Sequence, residues 1–181
     1  KEIIHNCFAY RKNLFAFDGK YVTPDIIAAF KDAGLTAYVP GISEYCIPYS
    51  NMNRLYVANT PIIAILGTSS KQGKFTLQLE LRKGFRARGY TVGQLGTEPT
   101  SELFGFDQVF PIGYNSDQSV SGGAAIAVVN QQVKLIEEKK YDLIVVGAQS
   151  GSVPYQIRNV LNIPYNTYEF LLGTNPDIVL L

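Results

Sequence analysis

The stretch Pro61-Ile62-Ile63-Ala64-Ile65-Leu66-Gly67-Thr68-Ser69-Ser70-Lys71-Gln72-Gly73-Lys74-Phe75-Thr76 decides how this chain is read. Its first half is an unbroken apolar run stopped by Gly67, the pattern of a strand buried on both faces. A polar loop follows, and from Lys74 the sequence reads as a helix to about Arg88, closed by Gly89. Leu77, Leu81 and Phe85 recur every four residues and mark the expected apolar face of that helix. Strand, loop and helix in this order can cradle a phosphate. Successive backbone N–H groups wrap the anion, the helix N-terminus adds partial positive charge, and a lysine reaches the outer oxygens. Gly67 and Gly73 permit the close approach, Lys74 takes the lysine role, and the hydroxyls of Ser69 and Ser70 add donors. The expected binding residues are Gly67, Thr68, Ser69, Ser70, Lys71, Gln72, Gly73, Lys74, Phe75 and Thr76.

Outward from this loop, strand and helix signals alternate. Tyr90 to Leu95 reads as a second strand. A long helix from about Gly123 to Lys139 leads into the apolar strand Leu143 to Val146, and a short helix near Tyr168 to Leu172 precedes a last strand at Ile178. The expectation is an α/β three-layer domain with a mostly parallel sheet over residues 61–181. Residues 1–60 differ, with turn signals at Asp18-Gly19 and Pro40-Gly41. Thr23 and Pro24 open a helix carrying Ile26, Ile27, Phe30 and Ala33, and Leu35 to Val39 reads as a strand. This segment is expected to be part of a small N-terminal α/β domain. The chain stops on the apolar run Ile178 to Leu181, so the second domain is expected to be truncated.

The 181 residues are 46% hydrophobic and 17% charged, which fits a globular domain able to bury roughly 70% of its unfolded surface. With Lys+Arg 16 against Asp+Glu 15, no net positive field draws in nucleic acid or an anionic membrane. The run Arg82, Lys83, Arg86 and Arg88 reads as a solvated helix face. Cys7 and Cys46 lack zinc spacing and His5 is the one histidine, so a zinc site is not expected. Two thiols, no secretory signal and no apolar run of about 18 residues favour the cytoplasm.

The loop departs from the commonest phosphate-binding spacing in two ways. Five residues separate Gly67 from Gly73 instead of four, and Phe75 stands where a magnesium-binding hydroxyl is expected, with Thr76 one position later. Thr76 and Glu98, which follows the second strand, are the candidate metal ligands. No carboxylate ends the strand running into Val146-Gly147-Ala148-Gln149, so Lys74, Glu98 and Gln149 are the catalytic candidates. Asp107, Asp117, Tyr155, Tyr165 and Tyr168 are weaker candidates around the irregular segment 99–118 and the loop after Gln149.

The five-residue spacing is similar to the Walker A loop of dethiobiotin synthetase-like enzymes. Gly-Thr-x-x-x-x-Gly-Lys-x-Thr at 67–76, Gly96-Thr97-Glu98, Gly147-Ala148-Gln149-Ser150-Gly151 and Asn175-Pro176-Asp177 together resemble an uncharacterised bacterial P-loop NTPase-like family that includes D-glutamate N-acetyltransferase-like proteins. The resemblance implies a Rossmann-like N-terminal domain and a P-loop domain. It also implies ATP, another nucleotide or acetyl-CoA as cofactor, with Mg2+, and transfer or ligation of an acyl group on a small amino-acid-like metabolite. That family tends to carry an acid before the Gly and Gln of its strand end, where this chain has none. A non-catalytic nucleotide-sensing domain is the alternative. The expected partner is a small-molecule substrate, not nucleic acid or membrane, and a homo-oligomer is left open.

Overall fold

The computed structural model describes residues 2–17, 19–112, 117–118, 120–149, 151–153, 158 and 164–181, with the backbone alone for Asn51, Asp117 and Gln118. In chain order the elements are α1 (Glu2–Ala9), β1 (Leu14–Phe15), α2 (Pro24–Asp32), β2 (Ala37–Tyr38), β3 (Gly41–Ile42), β4 (Ile62–Ile65), α3 (Lys74–Arg86), β5 (Val92–Gly96), β6 (Gln108–Val109), β7 (Asp117–Gln118), α4 (Gly123–Glu137), β8 (Leu143–Gly147), α5 (Tyr165–Thr174) and β9 (Ile178–Leu180).

The apolar runs around residues 62 and 143 become neighbours in a parallel sheet of order β6-β5-β8-β4-β9. Ile62 pairs with Ile144 and Ile65 with Gly147, while on the other side Ile63 pairs with Ile178. Alternation along each strand then assigns two faces. Ile62, Ala64, Ile144 and Val146 point to α4 and α5, where they meet Val128, Val129, Val133 and Phe170. Ile65, Val145, Leu143 and Val92 point to the opposite face and meet Leu81 and Phe85 of α3. Helices on both faces of a parallel sheet make the three-layer α/β fold that the alternation of elements predicts. Because β8 is inserted between β4 and β5, the chain leaves β4 and returns two places away, which opens a crevice at the carboxyl ends of the strands.

A second hydrophobic cluster gathers Cys7, Val22, Phe30 and Ala37, and the Phe8 and Phe30 rings lie 4.4 Å apart. It holds α1 and α2 around the short parallel pair β1-β2. The seam in packing lies near residue 40, since Ile42, Ile47 and Ala58 join the main core and β3 pairs with β7. Among the described residues no helix is long and apolar enough to cross a membrane.

Candidate functional site

The loop between β4 and α3 is shaped by its own side chains and by the strand edge behind it. Gln72 spans the turn, donating from Nε2 to Thr68 Oγ1 at 2.9 Å and accepting from Ser69 N at Oε1 at 3.1 Å. Ser152 donates its backbone N–H to the Gly67 carbonyl at 2.8 Å and so ties the loop to the segment beyond β8. Gly73 has φ +85° and ψ +14°, a conformation a Cβ would strain, and it caps α3 without a side chain. The first-turn amides of an α-helix have no intrahelical acceptor. Here those of Gly73 and Phe75 meet no acceptor among the described residues.

These amides open on a cleft of about 280 Å³. Its mouth is formed by the loop from Ser70 to Phe75, its floor by Gln78, and its far wall by Thr97 and Glu98 after β5 and by Ala148 and Gln149 after β8. Three strand ends therefore converge on one helix N-terminus. Lys74 is buried and donates from Nζ to the Ser69 carbonyl at 2.8 Å, which curls the cation back over the loop. Lys71 is exposed at the rim and adopts a positive φ of 60°. Thr97 donates from Oγ1 toward Gln149 Oε1 at 3.5 Å, and Glu98, half-buried, is the one carboxylate among the described lining residues.

The expected binding residues thus divide. Ser70 to Phe75 face the cleft, whereas Gly67, Thr68 and Ser69 support it from behind through the bonds just described. Thr76 is exposed and outside the lining, because two steps along the helix turn a side chain by roughly 200° from Lys74. Phe75 is held by rings, stacked with Phe106 at 5.5 Å and edge-on to Phe104 at 5.2 Å. Arg82, expected on a solvated face, instead donates to the Phe104 carbonyl at 2.9 Å and lies over the Phe106 ring.

Asp107 has a structural role. It accepts from Gln94 N at 2.9 Å, from Lys139 Nζ at 2.8 Å and from the Tyr141 hydroxyl at 2.7 Å, and it does not line the cleft. The bond to Asp107 raises both the Lys139 and the Tyr141 pKa above their ordinary values. Tyr165 and Tyr168 are exposed on α5. Tyr155, Ser150 and the Asp117 side chain lie outside the described residues.

The residue that sequence reasoning missed is Gln78. The buried side of α3 is led by Lys74, Gln78, Leu81 and Phe85, while Leu77, expected there, is 40% exposed. Gln78 is 2% exposed, its backbone carbonyl accepts from Gln94 Nε2 at 3.0 Å, and its Oε1 has no partner. A buried acceptor left unpaired costs about 1–3 kcal/mol, so a water or ligand donor reaching Gln78 Oε1 would be stabilising there. A Cβ added to Gly147 would lie 1.8 Å from Gln78 Nε2, so the amide fills the space that a strand-end side chain would need. Spacing carried the signal, since positions 74, 78, 81 and 85 follow a helical stripe.

A larger cleft of about 390 Å³ lies where residues 38–46 meet β6 and α4. At its rim the Tyr38 hydroxyl donates to Glu102 Oε1 at 2.7 Å, and burial together with that bond pushes the Tyr38 pKa up to about 12. No uncapped helix start opens on it among the described lining residues, and chemistry rather than size selects the P-loop cleft.

A comparison with curated proteins found no match. The crystal structure of a DUF1611 family protein from Anabaena variabilis ATCC 29413 is similar in fold, with a TM-score of 0.63 at 18% identity, covering 98% of this chain and 48% of that one. This chain spans about half the length of that relative. A family profile described as "Domain of unknown function (DUF1611_C) P-loop domain" matches residues 51–181. With strand, loop, lysine and helix start in place and most of the chain matched, the protein belongs to the DUF1611 P-loop domain family.

Proposed function

We propose that the chain binds the phosphates of ATP, another nucleotide or acetyl-CoA against the start of α3, in an enzyme that transfers or ligates an acyl group on a small amino-acid-like metabolite. The observation that carries the binding half is the uncapped N-terminus of α3 opening on a cleft beside Lys74. Helix-start amides and a lysine meet an anion together, and the roughly 280 Å³ available suits phosphate groups, with the rest of a cofactor lying outward. In this reading Lys74 leaves the Ser69 carbonyl to meet an outer phosphate, and Lys71 screens charge at the rim. Gln149 and Glu98 face the second reactant from the strand ends.

The acyl-transfer half rests on the likeness of the motifs at 67–76, 96–98 and 147–151 to D-glutamate N-acetyltransferase-like proteins. A nucleotide-sensing domain without turnover is the second reading, favoured by Gly147-Ala148-Gln149 at a strand end where hydrolytic P-loop enzymes place an acid. Calorimetric titration of ATP, GTP and acetyl-CoA, followed by turnover assays, separates the readings. Wild type is expected to bind at least one of them, and Lys74→Ala to lose about tenfold or more in affinity. Equal binding by Lys74→Ala rejects the proposal, and binding without turnover leaves the sensing reading.

A further inference from the structure

Resting on the phosphate-binding reading above, we propose that this cleft takes a pyrophosphate-bearing ligand without a divalent cation, and that the buried Gln78 amide contacts that ligand directly.

The argument starts from the donor set that a magnesium ion would need. Magnesium is held in P-loop sites by a hydroxyl directly after the lysine, by strand-end carboxylates through its water shell, and by the phosphates. Here the position after Lys74 is Phe75, which carries no side-chain oxygen and packs against the Phe104 and Phe106 rings. Thr76 is exposed outside the cleft, and the end of β8 offers Ala148 and Gln149 instead of an acid. Glu98 is the single carboxylate among the described lining residues, against Lys71 and Lys74. The residues present do not fit a magnesium site, and two cations against one anion favour a polyanion without one.

Gln78 is the second, independent observation. Its side chain is almost wholly buried, lines the same cleft one turn beyond Lys74, and leaves Oε1 without a partner. The lack of a Cβ at Gly147 admits it to the place from which a strand-end acid would project. A carboxylate there would repel the ligand's phosphates unless a cation stood between them. A neutral amide needs no such bridge. It offers N–H donors to a phosphate oxygen, and its unpartnered oxygen accepts from a water or hydroxyl of the ligand.

The test is calorimetry of the full chain with ADP and with inorganic pyrophosphate, each in EDTA and in magnesium. For wild type the affinities with and without magnesium are expected to agree within about threefold. Gln78→Glu is expected to weaken binding in EDTA by about tenfold or more and to regain it with magnesium, and Gln78→Leu to weaken both alike. Tightening of wild type by about tenfold with magnesium overturns the proposal while sparing the phosphate reading, as does unchanged binding by both Gln78 variants. Lys74→Ala separates the two claims: if it binds like wild type in every condition, the phosphate reading falls and this proposal with it, whereas if wild type binds neither probe this proposal falls and the phosphate reading is decided by the acetyl-CoA titration above. The magnesium comparison on wild type stands whether or not the variants fold.

Discussion

At position 147 a hydrogen atom in place of a methyl group decides what the cleft floor is made of. Gly147→Ala would drive a Cβ into Gln78, whose Nε2 lies 1.8 Å from the added atom. Either the amide swings out or β8 shifts, and overpacking of this kind costs about 1–3 kcal/mol. We expect Gly147→Ala to lower the urea midpoint accordingly and to weaken anion binding together with stability, whereas Gly84→Ala, inside α3 with nothing nearer than 3.7 Å, should leave binding unchanged and gain about 0.5–1 kcal/mol of stability from the better helix former. A neutral result for Gly147→Ala would mean that Gln78 is free to move and does not fix the floor. The same scale explains what sequence reading could and could not reach. Gly67, Gly73 and Lys74 are legible because their chemistry depends on near neighbours. Gln78 and Asp107 are not, because what each touches comes from remote segments: Gly147 and Gln94 for the first, Lys139 and Tyr141 for the second.

Among the elements, α4 does more than cover the sheet. Glu137 in its last turn accepts from the amides of Asn59 at 2.7 Å and Thr60 at 2.6 Å and from the Tyr56 hydroxyl, clamping the strap that feeds β4. Burial alone would raise the Glu137 pKa, but these hydrogen bonds outweigh it and hold the carboxyl below its ordinary value. A carboxylate with a depressed pKa stabilises the fold above its unfolded pKa and loses that contribution as pH falls through the folded one. Glu137→Gln is therefore expected to cost about 1–2 kcal/mol at pH 7, and the gap to wild type should close as the solution is acidified past the carboxylate range. Denaturant melts of both proteins across that range check it; a gap that persists in acid would show that shape rather than charge makes the clamp. The long apolar runs made β4, β8 and α4 readable as elements. The face of α3 was not, because Lys74 and Gln78 are polar yet turned inward, and Leu77 is apolar yet turned out. A polar stripe toward a cleft defeats a rule written for helices that bury only a core.

Over the whole molecule, the parallel sheet holds the site by bringing the ends of β4, β5 and β8 to one place. Its α4-side core is closed by Phe110 and Phe170, edge to face at 5.6 Å and both almost fully buried. Phe170→Ala is expected to lose about 3–5 kcal/mol and to lower the thermal midpoint, while Tyr168→Ala, exposed on the same helix, should change stability by less than about 0.5 kcal/mol. Similar losses from both would contradict the core described here. The most direct measurement of the central claim is a 15N-resolved amide titration of the chain with ADP in EDTA. The account predicts saturable shifts centred on Gly73, Lys74 and Phe75, with smaller ones at Gln78 and Gln149, all abolished in Lys74→Ala. Shifts centred on the cleft beside Tyr38 and Glu102, or none at the start of α3, would contradict it.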